Sequence, residues 1–577
     1  MVQRLRGQAR LLVILGIVLA AALAAAPGGA AAAMPTPKFT TAAAFDVSPP
    51  VTLLQPSSGG ATARLGNTRS ANAPVPENDT GHAGDLALQT TGFAATLASG
   101  PLANFEGLSN QDNFDVFGFR VNPPDPVGDV GPNHYVEMVN LVFGIYDKAG
   151  NEVLAPVDTG SLWGGFPIED CTDPSGDPIV LYDQTTDRWL LSQFTTRGLD
   201  PATPTAPFYN CIAISTSGDP AGSYYRYAFI TQPDDEDGGY FFPDYPKYGV
   251  WTNSYLMTTR DFGFDDRYGI SVYALEKNKM VNGEAKARAV QFFLELGEVD
   301  LEDIGDGLLP ADIDGNRRPR DRAPAPIVGS QDDGGGYGAT VDALNVYDLA
   351  VQWSANPTAS LSEPLELPTA PFDSIFPCAP TARDCLPQPG ITNPEQFLDI
   401  LSYRQRVTHR LAYRNFGTYE ALVTNQSVEA LPGVAGERWY ELRRTNGVYS
   451  IHQQGTYAPP DGVHRWMGSI AMDRNGNMAL GYSVVNGTSV FPGIRYTGRL
   501  AGDPAGQMTV AEGTIINGSG VQTTANSRWG DYTSMNVDPV DDCTFWYVNE
   551  YYTAAGQASS PAGWQTRIAS LRLPGCS

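Results

Sequence analysis

Short runs of β-branched and aromatic residues, cut by Gly, Pro, Asn and Asp, fill the chain from about residue 105 onward. Long stretches with apolar residues at helical spacing are scarce, so the pattern predicts strands joined by turns. One phrase recurs. "HRWMGSIAMDRNGN" starts at His464 and "SRWGDYTSMNVDPVDD" at Ser527. Each sets an Arg-Trp pair before a short strand that ends in Asp and a polar turn. Looser copies start at Gly128 ("GDVGPNHYVEMVNLVFGIYDKAGN"), Gly176 ("GDPIVLYDQTTDRWLLSQF"), Phe242 ("FPDYPKYGVWTNSYLMTT"), Asp321 ("DRAPAPIVGSQDDGGGYGATVDALNVYDL") and Arg406 ("RVTHRLAYRNFGTYEALVTNQSV"). In each copy a polar or Gly/Pro entry leads into a small-residue strand, a turn and a bulkier strand. A variable stretch with one or two further strands follows. Small residues suit strands crowded round an axis, and aromatic ones suit the wedge between sheets. The expected fold is all-β, a single β-propeller. The copies predict seven blades, and the weakness of the one at Asp321 leaves six as the alternative.

The last copy supplies three strands, "DYTSMNVDP", "CTFWYVNEYY" and "TRIASLRLPGC". The fourth is expected from the N-terminal segment around Phe105 to Phe119, which would close the ring and remove its free edges. Before it lie two segments with other compositions. Residues 1–33 have a basic start at Arg4, Arg6 and Arg10, an apolar run from Leu11 to Ala25 and small residues to Ala33. That is the layout of a secretory signal peptide, and a transmembrane anchor fits less well because the run is short. No later apolar run is long enough to anchor the mature chain. Residues 34–98 are rich in Ala, Pro, Thr, Ser, Gly and Asn and are expected to be a disordered, low-complexity leader. The propeller domain is therefore expected over residues 99–577.

A formal net charge of −26 argues against nucleic acid and anionic membranes as partners. It suits a secreted, soluble monomer, with cation binding as the alternative. Six cysteines fit an extracellular chain. They form neither zinc spacing nor C-x-x-C, and although fifteen pairings are open, locality favours Cys171 with Cys211, Cys378 with Cys385 and Cys543 with Cys576.

"CIAISTSGDPAGSYYRYAF" resembles the strand-turn-strand element of sialidase-like and five-bladed glycosidase propellers, and "DPIVLYDQTTDRWLL" looks like the opening of a glycosidase-type blade. The standard Asp-box of such blades is absent. "PPDPVGDVGPNHYVEMVN", "LAYRNFGTYEALVTN", "RWMGSIAMDRNGNMALGYS" and "RWGDYTSMNVDPVDDCTFWYVNEYY" resemble a group of exported bacterial propeller proteins. That resemblance implies kinship and assigns no activity.

Residues at the entries of inner strands converge at one face of a propeller, which is where a site is expected. The entries supply Asp129, Asp177, Asp244, Arg465, Arg528 and Asp531, with Arg406 beside them. Carboxylates and guanidiniums there either stitch blades together as ion pairs or bind a ligand and move protons. Glycoside hydrolysis suits the second reading, because it uses two carboxyls that different blades can provide. On that reading Asp129, Asp244 and Asp531 are the catalytic candidates. Asp177, Arg406, Arg465 and Arg528 would hold an extracellular polysaccharide or glycan, and Trp466 and Trp529 would stack on it, with wedge packing as their structural alternative. The other reading is a surface-interaction or ligand-binding propeller without turnover. No nucleophile elbow, zincin, phosphate-loop or dinucleotide motif is present. No cofactor is required. Calcium is a weak option at "ADIDGN" (Ala311–Asn316), which lacks the rest of a calcium loop, and at the acidic "PDDEDGG" from Pro233.

Overall fold

Strand pairing in the computed structural model follows the predicted grammar closely. It describes residues 34–54, 84–93, 96–233, 241–263, 267–320, 322–334, 337–374, 384–400, 405–524 and 527–576. The expected signal peptide, most of the "PDDEDGG" loop and Cys378 lie outside those residues. The inner strands are Val127–Val130, Ile179–Asp183, Phe242–Val250, Leu309–Asp314, Thr408–Asn415, His464–Met472 and Ser534–Val537. Each heads a set of antiparallel strands that runs outward. Each inner strand packs beside the next in chain order, and Ser534–Val537 packs beside Val127–Val130. The sheets thus form a ring, the arrangement of a β-propeller. Leu309–Asp314 and Thr408–Asn415 also pair as parallel strands, which merges two sets into one nine-stranded sheet.

Two features explain why these sequences crowd the axis. The first is size. A Cβ added to Gly249 would lie 2.3 Å from the Ala311 carbonyl oxygen of the adjacent inner strand. The second is hydrogen bonding. Inner strands leave backbone groups unpaired on their axial edge, and short polar side chains of a neighbouring inner strand satisfy them. Asp129 accepts from Tyr182 N–H at 2.7 Å, and Asp312 from Val250 N–H at 2.9 Å. Ser534 Oγ accepts from Gly128 N–H at 2.9 Å, and Ser469 Oγ from Met535 N–H at 3.0 Å. The recurring Asp and Ser of the repeated phrase are in large part the stitching of the ring.

Closure follows expectation over its first half. Ala103–Ser109 pairs with Trp564–Arg572, and Ser109 then caps a short helix, Asn110–Phe117, through a capping box. The disulfides Cys171–Cys211 and Cys543–Cys576 form as expected. Each contributes about 2–4 kcal/mol by shortening the unfolded loop.

The sequence-based boundaries need two corrections. The copy assigned to Asp321 is displaced, because "APIVGSQ" is the second strand of its set and the inner strand is "LPADID". The leader is not structureless throughout. Lys38–Thr41 pairs with Arg288–Glu295 and Ala44–Val47 with Tyr224–Ile230, so two four-residue strands each add a fifth strand to one of two successive sheets. Asp46 binds Arg226 at 2.6 Å, and Asp85 binds Arg438 at 2.6 Å with both side chains fully buried. Met34–Ser577 is accordingly one compact unit. Low overall hydrophobicity misled here, because edge strands need few apolar side chains when the sheet already exists. Among the described residues no helix is long and apolar enough to cross a membrane.

Glu137 links the closing strand to the first sheet. It is fully buried and accepts from Leu108 N–H at 2.8 Å, while its Oε1 has no partner. Burial pushes its pKa up to about 8. The folded chain therefore keeps a proton that the unfolded chain releases above about pH 4.5, and this group's contribution falls as pH rises toward 8, by up to about 1.4 kcal/mol per unit. Glu137→Gln is expected to raise the melting temperature at pH 8 and to change it little at pH 4.5. Equal shifts at both pH values would contradict this assignment.

Candidate site at the mouth of the ring

Before the inner strands, or at bulges near their starts, residues other than glycine take left-handed backbone angles. Asp125 has φ 49°, Asp177 45°, Tyr245 56°, Gln405 43°, Met467 51° and Ser527 46°. Such geometry costs roughly 1–3 kcal/mol per residue and persists only where the surroundings impose it. Register shifts at Asp244/Lys247, Thr408/Ala412 and Trp466/Ser469 bulge three of these strands at the same level. Entry residues are thereby turned toward the axis.

The structure brings together Asp177, Asp244, Asp531, Arg528 and Arg406, with Asp125, Lys247, Arg260, Tyr245, Tyr532 and Glu550 around them. Asp531 Oδ2 lies 2.7 Å from Arg528 Nη2, and its backbone N–H donates to Asp125 at 2.7 Å. Asp177 accepts from the Tyr532 hydroxyl at 3.0 Å, and Asp244 from Tyr245 N–H at 2.9 Å. These two carboxylates are half-buried and make no ion pair among the described residues. Burial, then the charge of Asp244, Asp125 and Asp531, holds Asp177 well above the usual carboxylate range. Burial also raises Asp244, and Arg260 opposes the shift. Asp125 is pushed up to about 7, by burial first and then by Asp531.

The cations of the cluster are more deeply placed. Lys247 Nζ lies 3.3 Å from the Tyr245 ring centre and 3.1 Å from that of Tyr532. Arg406 sits 4.6 Å from the Tyr245 ring. Lys247 Nζ and all three guanidinium nitrogens of Arg406 are buried and donate no hydrogen bond among the described residues. Burial holds the Lys247 ammonium well below its usual pKa, against the pull of Asp177 and Asp531.

Four predicted site residues lie elsewhere. Asp129 belongs to a deeper layer, where its two oxygens accept from Val130 and Tyr182 N–H groups at 2.7 Å each and burial pushes it up to about 8. Arg410 dominates that layer, with Nε 2.8 Å from Asp312 and Nη2 2.7 Å from Asp314. The two carboxylates of "ADIDGN" thus lie on a strand and are engaged by this guanidinium. Burial, then the charges of Lys247 and Arg410, holds the His409 imidazole well below its usual pKa. Arg465 is buried away from the mouth, 2.8 Å from Asp461 and 2.7 Å from Glu512, a carboxylate of its own sheet's outermost strand. Trp466 and Trp529 pack on each other at 5.0 Å inside the core, at 0% and 1% exposure, so neither can stack on a sugar.

Sequence reasoning missed Lys247 and Tyr245, although "FPDYPKYGV" places a lysine inside an inner strand, an unusual position for one. It also missed Asp125, two residues before the strand that begins at Val127. Outside the mouth, Asp332, Asp333 and Asp342 bring carboxylate oxygens within 4.8 Å of one another. Those of Asp332 and Asp342 accept backbone N–H groups of Gly334, Ser374, Asp333 and Phe372, so local turns account for them.

No protein-family model matches the chain, and no curated protein matches it. Among solved structures, the chain is similar to an α-L-arabinanase of Penicillium chrysogenum at 10% identity and TM-score 0.33, over 69% of this chain and 94% of that one. An endo-arabinase of Bacteroides thetaiotaomicron aligns at 13% identity and TM-score 0.25, over 57% and 94%. A subtype N10 neuraminidase-like protein of A/little yellow-shouldered bat/Guatemala/060/2010 aligns at 7% identity and TM-score 0.29, over 62% and 90%.

Proposed function

We propose that the chain is an exported seven-bladed propeller that acts on an extracellular glycan at the mouth of its ring, by acid–base chemistry between Asp177 and Asp244. Seven inner strands that touch in a closed circuit support the blade count. The observation that carries the site is the contrast among its carboxylates. Asp531, Asp312 and Asp314 are held by arginines, and Asp129 by backbone N–H groups. Asp177 and Asp244 are only partly buried and outside any ion pair among the described residues.

Asp177, held well above the usual carboxylate range by burial and by Asp244, is the general acid for a glycosidic oxygen. Asp244, with Arg260 nearby to favour its ionised form, is the base or nucleophile. Arg406, packed on the Tyr245 ring, and Arg528, paired with Asp531, would favour a carboxylate-bearing sugar through their charge. Asp177→Asn is expected to lower kcat at least 100-fold, with a much smaller change in KM, on whichever polysaccharide of a neutral and acidic panel the wild type cleaves. Undiminished reducing-end release by the Asp177→Asn/Asp244→Asn double variant would refute the assignment.

The Arg528–Asp531 pair specifically favours the second reading, a binding propeller without turnover. Glycan binding that Arg406→Ala weakens, with no cleavage of any polysaccharide by the wild type, would establish it.

A further inference from the structure

Four arginines sit within six residues of one loop, Arg317, Arg318, Arg320 and Arg322, in a chain of net charge −26. The loop joins Leu309–Asp314 to the next strand, at the opposite end of the inner strands from the mouth. All four are exposed. With Arg444 they line a groove of about 550 Å3, bounded by the turns at Asn415–Glu420 and Asn446–Gly447.

The groove is built rather than incidental. Arg318 donates to the Thr185 carbonyl at 2.9 Å, and its own carbonyl accepts from Asn415 at 2.7 Å, so the loop is pinned to the turn after Ile179–Asp183 and to the end of Thr408–Asn415. Gly417 lets Arg317 lie across the facing turn, since an added Cβ there would come 1.8 Å from the guanidinium. The acids of the groove are already engaged. Glu420 lies 2.5 Å from Arg444 and accepts from Tyr413 at 2.6 Å, while Asp348 accepts from Tyr449 at 2.7 Å. Arg317, Arg320 and Arg322 make no ion pair among the described residues. With Asp321 between them, the four arginines leave these six residues a formal charge of +3 (four minus one) in a chain that is otherwise strongly acidic.

We infer that this groove binds an acidic polysaccharide through its carboxylate or sulfate groups. Guanidiniums match both oxyanions in bidentate fashion. Four of them along an extended loop suit a line of spaced charges better than one compact anion. Duplex nucleic acid, with a charge about every 1.7 Å of axis, is repelled by the rest of the surface far more than a chain with one charge per sugar. This inference does not rest on the mouth chemistry, and the two fail separately.

The test is affinity electrophoresis of the full chain through gels containing polygalacturonate, dextran sulfate, neutral dextran or duplex DNA, with the Arg320→Glu/Arg322→Glu variant beside the wild type. The wild type is expected to be retarded by at least one acidic polysaccharide and not by dextran, less so as salt rises. The variant should bind at least tenfold more weakly at an unchanged melting temperature. Stronger retardation by polygalacturonate or by dextran sulfate identifies the preferred anion. No retardation at low salt, retardation untouched by charge reversal, or equal retardation by DNA would each overturn the proposal. Should the variant melt earlier than the wild type, Arg322→Gln alone is measured against the same outcomes.

Discussion

Arg410→Met is expected to destabilise the fold by at least 3–5 kcal/mol, the range for removing one partner of a buried ion pair. Arg410 reaches across the axis of the ring. It binds Asp312 and Asp314 on one inner strand and the Met535 carbonyl on another, at 3.3 Å, and its charge also acts on Asp129 of the first sheet. Without it, carboxylates on different strands would face one another in a buried layer with no cation between them. Adding Asp312→Asn and Asp314→Asn should restore part of the loss, because neutral amides need no counter-charge. Urea unfolding of the single and triple variants measures both steps. A loss under about 1 kcal/mol for Arg410→Met would show that water, rather than the guanidinium, satisfies this layer.

The second large effect is expected from the N-terminus. Removal of residues 1–98 takes away Lys38–Thr41, Ala44–Val47 and the buried Asp85, leaving Arg438 without its carboxylate. A loss of about 3–5 kcal/mol is expected from that charge alone. Asp85→Ala should reproduce most of it. Removal through Ser109 also strips the edge strand from Trp564–Arg572 and should abolish cooperative melting, because the last sheet then has three strands and an open edge. If the longer truncation melted like the shorter one, the closing strand would be dispensable and the ring would be held by its inner strands alone.

The ring itself was legible because its signal repeats. A polar entry, a small-residue strand and a bulky strand recur too often to be chance, and six of the seven copies point to the same place in a sheet. The fourth copy was displaced for a physical reason. "LPADID" carries two aspartates that read as a turn, and only Arg410, about a hundred residues away, makes them tolerable inside a strand. Asp177, Asp244, Arg406, Arg528 and Asp531 were legible as entry residues. Arg465 was not separable from them, since its partner Glu512 lies on an outer strand that no local pattern links to it. Trp466 and Trp529 belong to the wedge between sheets, and a side chain's depth in that wedge leaves no trace in a repeat. The leader's strands were hidden by composition, although Phe39 and Phe45 stand out in a stretch otherwise poor in aromatics.

Velcro closure has a consequence for the order in which this chain can fold. Ala103 meets Ser570, 467 positions later, and the strap at Lys38–Val47 docks on strands that begin at Tyr224 and Arg288. The first segments to be made are thus among the last to find their partners. Contacts this distant must close long loops before they return any stability, which slows folding. Sheet edges stay open until the C-terminus arrives. A nascent chain with this topology cannot lock early, so it stays threadable for as long as it is incomplete.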